Sequence, residues 1–235
     1  MLHHCIRWLF LALVLAPLAA QGQIIPDRVR LLTSGKYAEL EKLGESEIKG
    51  DANAKSARLM PLCAAYSKLK RYNKLFPCLD RLEANIKRGD TAANDLEEMR
   101  RNSPLMSGLA SFGAALMGGD DVLKGTVVPY LHLMRADAYT ELRDYDKAIA
   151  AANEAIKAIP TRWNEERAYR IGALAALGLA HGFAGNRDQA LNAAQTLSEV
   201  STSYPFTLLS GEKWLGVAKI YVALGDFKQA HESLK

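Results

Sequence analysis

Residues that carry catalytic or metal-binding chemistry are few in this 235-residue chain, which contains three cysteines and five histidines. The histidines beyond the N-terminal segment, His132, His181 and His231, are far apart in sequence, and no spacing typical of a metal site occurs. Ser67 and Lys70 form an S-x-x-K string, but the companion triplets of serine acyl enzymes are missing. We therefore expect a protein without enzymatic activity, cofactor or metal.

The chain also lacks a strong excess of charge of either sign. It has 30 basic and 26 acidic side chains, which gives a formal net charge of +4. So small an excess demands neither a nucleic-acid surface nor an anionic lipid surface. We expect no nucleic-acid partner.

The N-terminal apolar run is too short to span a bilayer. Residues 1–7 are weakly basic, residues 8–15 are continuously apolar, and small residues follow at Ala20 and Gly22. Because a spanning helix needs about 20 apolar residues, we favour a secretory signal peptide at residues 1–22 over an uncleaved anchor. No cysteine lies directly after this run, which argues against attachment of a lipid at a cleavage-site cysteine. We expect export to the periplasm or the extracellular space, without stable membrane insertion after cleavage.

A helix-turn-helix pattern is nearly complete at residues 129–162. Small residues occupy its eighth, twentieth and twenty-seventh places, at Ala136, Ala148 and Ala155. Tyr145 closes the turn and Pro160 ends the second helix. The pattern resembles the tetratricopeptide repeat. That resemblance implies an all-α, right-handed superhelical solenoid of antiparallel helix pairs, and the protein-binding role that such arrays generally have.

The same turn spacing recurs along the chain, before Leu75, Ala190 and Ala230. We predict one repeat domain at residues 23–235. Its parts are degenerate units at about 24–50 and 56–87, a helical insert at 88–128, and clearer units at 129–162, 171–204 and 211–235. A composition of 49% hydrophobic and 24% charged residues is ordinary for such a fold.

The predicted insert contains an apolar stretch at residues 103–119. Leu105, Leu109, Phe112 and Leu116 recur at helical spacing, which predicts one apolar helix face. We expect this helix to pack onto the solenoid. The alternative is a mobile helix that fills the groove or docks a partner.

Two cysteines, Cys63 and Cys78, remain after signal cleavage, one on each helix of a single predicted hairpin. In an oxidising compartment they could form a disulfide if their Cα atoms lie within about 7 Å. We expect two buried thiols, with the disulfide as the alternative. Cys63 holds a place that the repeat reserves for a small packing residue, and Cys78 lies beside, not on, the positions at which the two helices of a repeat face each other.

The resemblance places a partner-binding groove on the inner face of the first helices. The side chains that we expect to contact an unknown protein or peptide partner are Tyr130, Asp137, Glu141, Leu179, Phe183 and Lys219. The Lys and Asn pair with which some family members clamp a C-terminal carboxylate is absent at the fifth and ninth places. The alternative for this face is intramolecular packing, which would make these residues core.

Two functions of different classes fit the sequence. We favour a non-enzymatic scaffold that binds a peptide or protein segment in the repeat groove. The alternative is an N-terminal regulatory or substrate-recruiting region of a larger exported enzyme, for example a peptidase, with its catalytic part beyond residue 235.

Overall fold

The computed structural model describes residues 27–89, 120–159, 166–202 and 209–235. Within these ranges every regular element is an α-helix, and the helices are paired, which confirms the predicted all-α class. They are α1 Asp27–Thr33, α2 Tyr37–Ile48, α3 Ser56–Lys68, α4 Tyr72–Lys87, α5 Asp120–Glu141, α6 Tyr145–Ala158, α7 Glu166–Phe183, α8 Arg187–Glu199, α9 Leu209–Ala223 and α10 Phe227–Glu232. None of these described helices is both long enough and apolar enough to cross a membrane. The predicted signal peptide at 1–22 and the apolar stretch at 103–119 lie outside the described residues.

The two helices of each pair are joined by a turn with one recurring backbone geometry. One turn residue in each has a positive φ; these residues are Gly35, Lys70, Arg143, Gly185 and Gly225. The next N–H donates to a carbonyl five residues earlier, as from Asp144 to Tyr139 and from Asn186 to His181, both at 2.9 Å. This bond satisfies a carbonyl that the end of the first helix leaves without a partner.

The chain divides into two compact units, residues 1–124 and residues 125–235, which we describe separately. In the N-terminal unit, α1, α2 and α3 bury one apolar cluster that includes Leu31, Leu40 and Ala65. The helices α2 and α3 approach closely at Gly44, where an added Cβ would lie 2.9 Å from Leu62 Cδ1. A residue with a Cβ at position 44 would therefore require the Leu62 side chain to shift.

A disulfide joins Cys63 on α3 to Cys78 on α4, with their Cα atoms 5.7 Å apart. The expectation of two separate thiols was wrong, because α3 and α4 pack so that these two positions face each other. Helix α3 continues through Pro61, as α4 does through Pro77. Each proline removes one backbone hydrogen bond within two residues of a bonded cysteine. The disulfide therefore links the two helices close to the place where each lacks one of these bonds.

Alanine forms most of one core cluster in the C-terminal unit. Ala136 of α5, Ala152 and Ala155 of α6 and Ala173 of α7 are fully buried and lie in this cluster. A second cluster, which includes Leu174, Leu197 and Ile220, joins α7, α8 and α9. Since alanine adds little bulk, three successive helices can approach closely. Two of these buried alanines, Ala136 and Ala155, hold places that the repeat pattern reserves for small residues.

Glycine allows the first helices α7 and α9 to lie directly side by side. A Cβ at Gly182 would lie 2.9 Å from Ala223 Cβ, and one at Gly178 would clash with the side chain of Ile220. Gly216 of α9 makes the same approach toward Ala175 of α7. The first helices therefore form a continuous layer in this unit. Their positions determine which side chains remain on its surface.

The first helix of the C-terminal unit is longer than the repeat pattern predicts. Helix α5 begins at Asp120, well before the predicted start of the unit at Pro129. Pro129 is fully buried inside this helix. Proline is tolerated there at the loss of one backbone hydrogen bond.

Candidate functional site

Side chains of α5, α7 and α9 form what we call the first-helix face of the C-terminal unit. We define it by the surface residues Tyr130, Asp137, Glu141, Leu179, Phe183, Glu212, Lys219 and Val222. The structure places all six sequence-predicted contact residues on these three helices, with Asp137, Glu141 and Lys219 exposed and Tyr130 and Leu179 half-buried. Leu133, which shares their spacing, is buried in the alanine-rich cluster and cannot contact a partner.

Lys219 on α9 interacts electrostatically with Asp137 on α5, although α7 lies between these helices in the chain. Burial lowers the pKa of Lys219, and the carboxylates of Asp137 and Glu212 act in the opposite direction and raise it. Packed helix axes lie about 8–10 Å apart, so helices two places apart in a flat layer would be separated by roughly twice that. The field of an exposed charge is largely screened beyond about 8–10 Å. The carboxylate of Asp137 therefore lies near enough to Lys219 for their charges to interact, although their helices are not successive in the chain.

Lys219 is also exposed to solvent although burial lowers its pKa. Both hold because the side chain contacts water and is also surrounded by protein atoms.

Phe183 presents an ordered apolar surface at the end of α7. Its ring stacks on Tyr145, the first residue of α6, with ring centroids 5.9 Å apart and an interplanar angle of 25°. Even so, 47% of Phe183 remains exposed, as does 49% of Val222 at the corresponding end of α9. An aromatic ring held by packing and open on one side loses little conformational entropy when a partner covers it.

His181 lies near this face but has a structural environment. Burial lowers its pKa, and its Nδ1 lies 3.3 Å from Nδ2 of Asn186 in the following turn. His181 therefore helps to hold the turn between α7 and α8.

The N-terminal unit contains a polar network that sequence reasoning missed. The ammonium of Lys74 donates to Glu41 at 2.9 Å and to Glu45 at 2.7 Å, and the hydroxyl of Tyr66 donates to Glu45 at 3.0 Å. The hydrogen bond from Lys74 is the main reason that the pKa of Glu45 is lowered, whereas burial is the main reason that the pKa of Tyr66 is raised. Lys74 therefore links α4 to α2.

Lys213 is a second side chain whose role the sequence pattern did not reveal. It is buried, and its ammonium donates to the carbonyls of Ser198 at 3.0 Å and Val200 at 3.3 Å. These carbonyls belong to the end of α8 and the residue that follows it, where helix carbonyls lack partners of their own. Its ammonium also lies 4.6 Å from the centroid of the Trp214 ring. Lys213 therefore stabilises the junction between α8 and α9.

No cluster of three or more metal-ligating side chains exists within the described ranges. The shallow depression on α2, lined by Glu41, Lys42, Glu45 and Lys49 among others, is open and polar. Two of its carboxylates already accept hydrogen bonds from Lys74. In the described part of the chain, the first-helix face is the arrangement best suited to contact a partner.

Comparison with known proteins identifies a tetratricopeptide repeat at residues 129–162. The match covers α5 from Pro129 onward and the whole of α6, which together carry Tyr130, Asp137 and Glu141. No match was found among curated proteins or among solved structures. The repeat supports a role in protein–protein interaction, since tetratricopeptide repeats generally bind protein partners.

Proposed function

We propose that this chain is an exported, non-enzymatic scaffold that binds a peptide or protein segment on the first-helix face. The exposed side chains Asp137, Glu141 and Lys219 carry this proposal, because they leave the first helices of this unit open to a partner. The exposed and ordered ring of Phe183 adds an apolar anchor to that surface. A matched repeat in the first of these helix pairs supports the same class of function.

Two independent features support export. The first is the N-terminal sequence, with a short apolar run followed by small residues. The second is the disulfide between Cys63 and Cys78, since disulfides persist in oxidising compartments and are rare in reducing ones. If the chain is exported, its partner is an exported or surface-exposed protein.

Affinity capture with matched variants tests the binding proposal. The full chain is compared with the double variant Asp137→Ala/Phe183→Ala, which removes one charge and one anchor from the first-helix face. Asp188→Ala/Phe227→Ala is the control, since it removes the same residue types from exposed positions on the second helices α8 and α10. We expect partners from an extract of exported proteins to be lost with the first variant and kept with the second. Equal capture by all three proteins would contradict binding at this face.

A further inference from the structure

Helix α9 carries a line of apolar residues that is open to solvent at both ends. Trp214, Ala218 and Val222 are four residues apart on this helix and form what we call the α9 ridge. Ala218 is buried, whereas 38% of Trp214 and 49% of Val222 are exposed. Phe227, the first residue of α10, is 70% exposed. Large apolar side chains that share one part of a protein surface mark a site of interaction.

In the preceding repeat, the next first helix covers the equivalent ridge. Leu174, Gly178 and Gly182 of α7 hold the same fourth, eighth and twelfth places of their repeat as the α9 ridge does in the last one. Leu174 is buried in a core cluster that includes residues of α9. A Cβ at Gly178 would clash with Ile220 of α9, and one at Gly182 would lie 2.9 Å from the Cβ of Ala223. These three places therefore form a surface on which another helix packs.

The seventeenth place of the repeat contacts the same neighbour. Tyr145 holds this place in the first helix pair of the C-terminal unit and stacks on Phe183, which belongs to the next first helix. Phe227 holds it in the last pair. We therefore treat the α9 ridge and Phe227 as one surface. Its equivalents in the preceding pairs indicate that it fits the apolar face of a helix.

A second copy of the chain offers a complementary surface. Four of the six large apolar side chains that are exposed in the described ranges lie within α9 and α10 or two residues beyond, namely Trp214, Val222, Phe227 and Leu234. The described surface that best matches this apolar face is therefore the same face of another copy. Ridges of residues four apart interdigitate in the commonest class of helix packing. Charge does not oppose the contact, because residues 209–235 carry four basic and three acidic side chains.

We infer that the α9 ridge is a homodimer interface, in which it packs against the α9 ridge of a second copy about a two-fold axis. Two-fold dimers are the commonest symmetric assemblies, and each subunit contributes the same patch to their interface. Trp214 and Val222 are equally far from Ala218 along the helix. An axis at the level of Ala218 therefore brings Trp214 of each copy beside Val222 of the other. Val222 is the one member of the first-helix face that this contact uses.

Sedimentation velocity of the natural chain measures the association. We expect the average mass to approach that of two chains at about 100 µM and to fall toward that of one chain on dilution. Phe227→Asp and Val222→Asp should each weaken the dimer at least about tenfold, because each places a charge in an apolar contact. Leu142→Asp is the matched control and should dimerise like the natural chain, since Leu142 is an exposed apolar residue outside this surface. Asp137→Ala/Phe183→Ala should dimerise as well, so the dimer and the binding of a segment can fail separately.

Two complementary variants test the two-fold arrangement. Val222→Asp and Trp214→Lys should each dimerise poorly alone, but their mixture should form a heterodimer, because the introduced carboxylate then lies beside the introduced ammonium. A mixture of Val222→Asp and Trp214→Asp is the control and should stay monomeric. Circular dichroism of each variant checks that its helices are intact.

Two results would overturn the inference. A natural chain that stays monomeric at about 100 µM would exclude a second copy and assign the α9 ridge to a different protein or to another segment of the chain. A dimer that tolerates both Val222→Asp and Phe227→Asp would have its interface elsewhere.

Discussion

The ring of Tyr145 stacks on the ring of Phe183, and so the first residue of α6 contacts the last residue of α7. This contact joins two successive repeats at the edge of the first-helix face. It orients an exposed aromatic side chain without burying it. If the proposed binding face is correct, recognition and stability depend on different parts of the same ring.

Substitution of Phe183 separates these two roles. We expect Phe183→Ala to weaken partner binding strongly but to lower the free energy of unfolding by less than about 2 kcal/mol, since the ring is half exposed and an aromatic pair contributes about 0.5–1.5 kcal/mol. Leu197→Ala, at a fully buried position, is the comparison and is expected to cost about 2–5 kcal/mol. Urea unfolding measures both. An equal loss in the two variants would mean that Phe183 is a core residue and not a contact residue.

Reduction of the disulfide tests how far the N-terminal unit depends on it. Cys63 and Cys78 are 15 residues apart in sequence, and closing a loop of this size in the unfolded chain is worth about 3 kcal/mol. We expect Cys63→Ala/Cys78→Ala to lower the free energy of unfolding by about that amount. Adding a reductant should destabilise the natural chain and leave the double variant unchanged. A reductant that shifts both proteins equally would show that the effect does not come from this bond.

The left-handed turn residues provide a matched pair of substitutions. Arg143 has φ 61° and Gly185 has φ 80° at equivalent turns. A residue with a Cβ is strained in this conformation by about 1–2 kcal/mol, whereas glycine loses more entropy on folding. We expect Arg143→Gly to stabilise the chain by up to about 1 kcal/mol and Gly185→Ala to destabilise it by about 1 kcal/mol.

Thermal unfolding of these two turn variants is the measurement. The space around Gly185 is open, because no atom lies within 4 Å of an added Cβ. A loss of stability in Gly185→Ala therefore reports backbone strain and not a steric clash. Opposite shifts of Tm are expected for the two variants, and shifts in the same direction would contradict the shared turn geometry.

The polar network in the N-terminal unit predicts a pH dependence of stability. The hydrogen bond from Lys74 lowers the pKa of Glu45 in the folded chain below its ordinary value of 4.5. A lowered folded pKa stabilises the protein above the ordinary pKa, and this contribution disappears as the pH falls through the folded pKa. Between about pH 6 and about pH 3, we expect the natural chain to lose more stability than Glu45→Gln does. Urea unfolding at each pH is the measurement. Parallel pH profiles would mean that solvent screens the pair completely.

The parts of this structure that follow from local pattern were predictable, and those that depend on packing between helices were not. Ala136, Ala148 and Ala155 are fully buried at the places that the repeat pattern reserves for small residues. The disulfide was not predicted, because the spacing of Cys63 and Cys78 does not determine the distance between their Cα atoms. The partners of Phe183 and Lys213 also come from a neighbouring repeat, and their contacts depend on how successive pairs are rotated.

Two lysines on α9 illustrate this difference and give the last prediction. Lys213 is buried and donates to the carbonyls of Ser198 and Val200, whereas Lys219 is exposed on the first-helix face. Lys213→Met would leave two carbonyls at the end of α8 without this donor, which should lower the free energy of unfolding by about 1–3 kcal/mol.

Lys219→Met is the control on the same helix. We expect it to change stability by less than about 0.5 kcal/mol, since the side chain is on the surface. It should alter the affinity for a charged partner, because it removes the only basic side chain of the first-helix face and makes that face more acidic. Urea unfolding and affinity capture of both variants distinguish the two roles. If Lys219→Met destabilised the chain as much as Lys213→Met, its interaction with Asp137 would be holding the helices together and would not be part of a surface that contacts a partner.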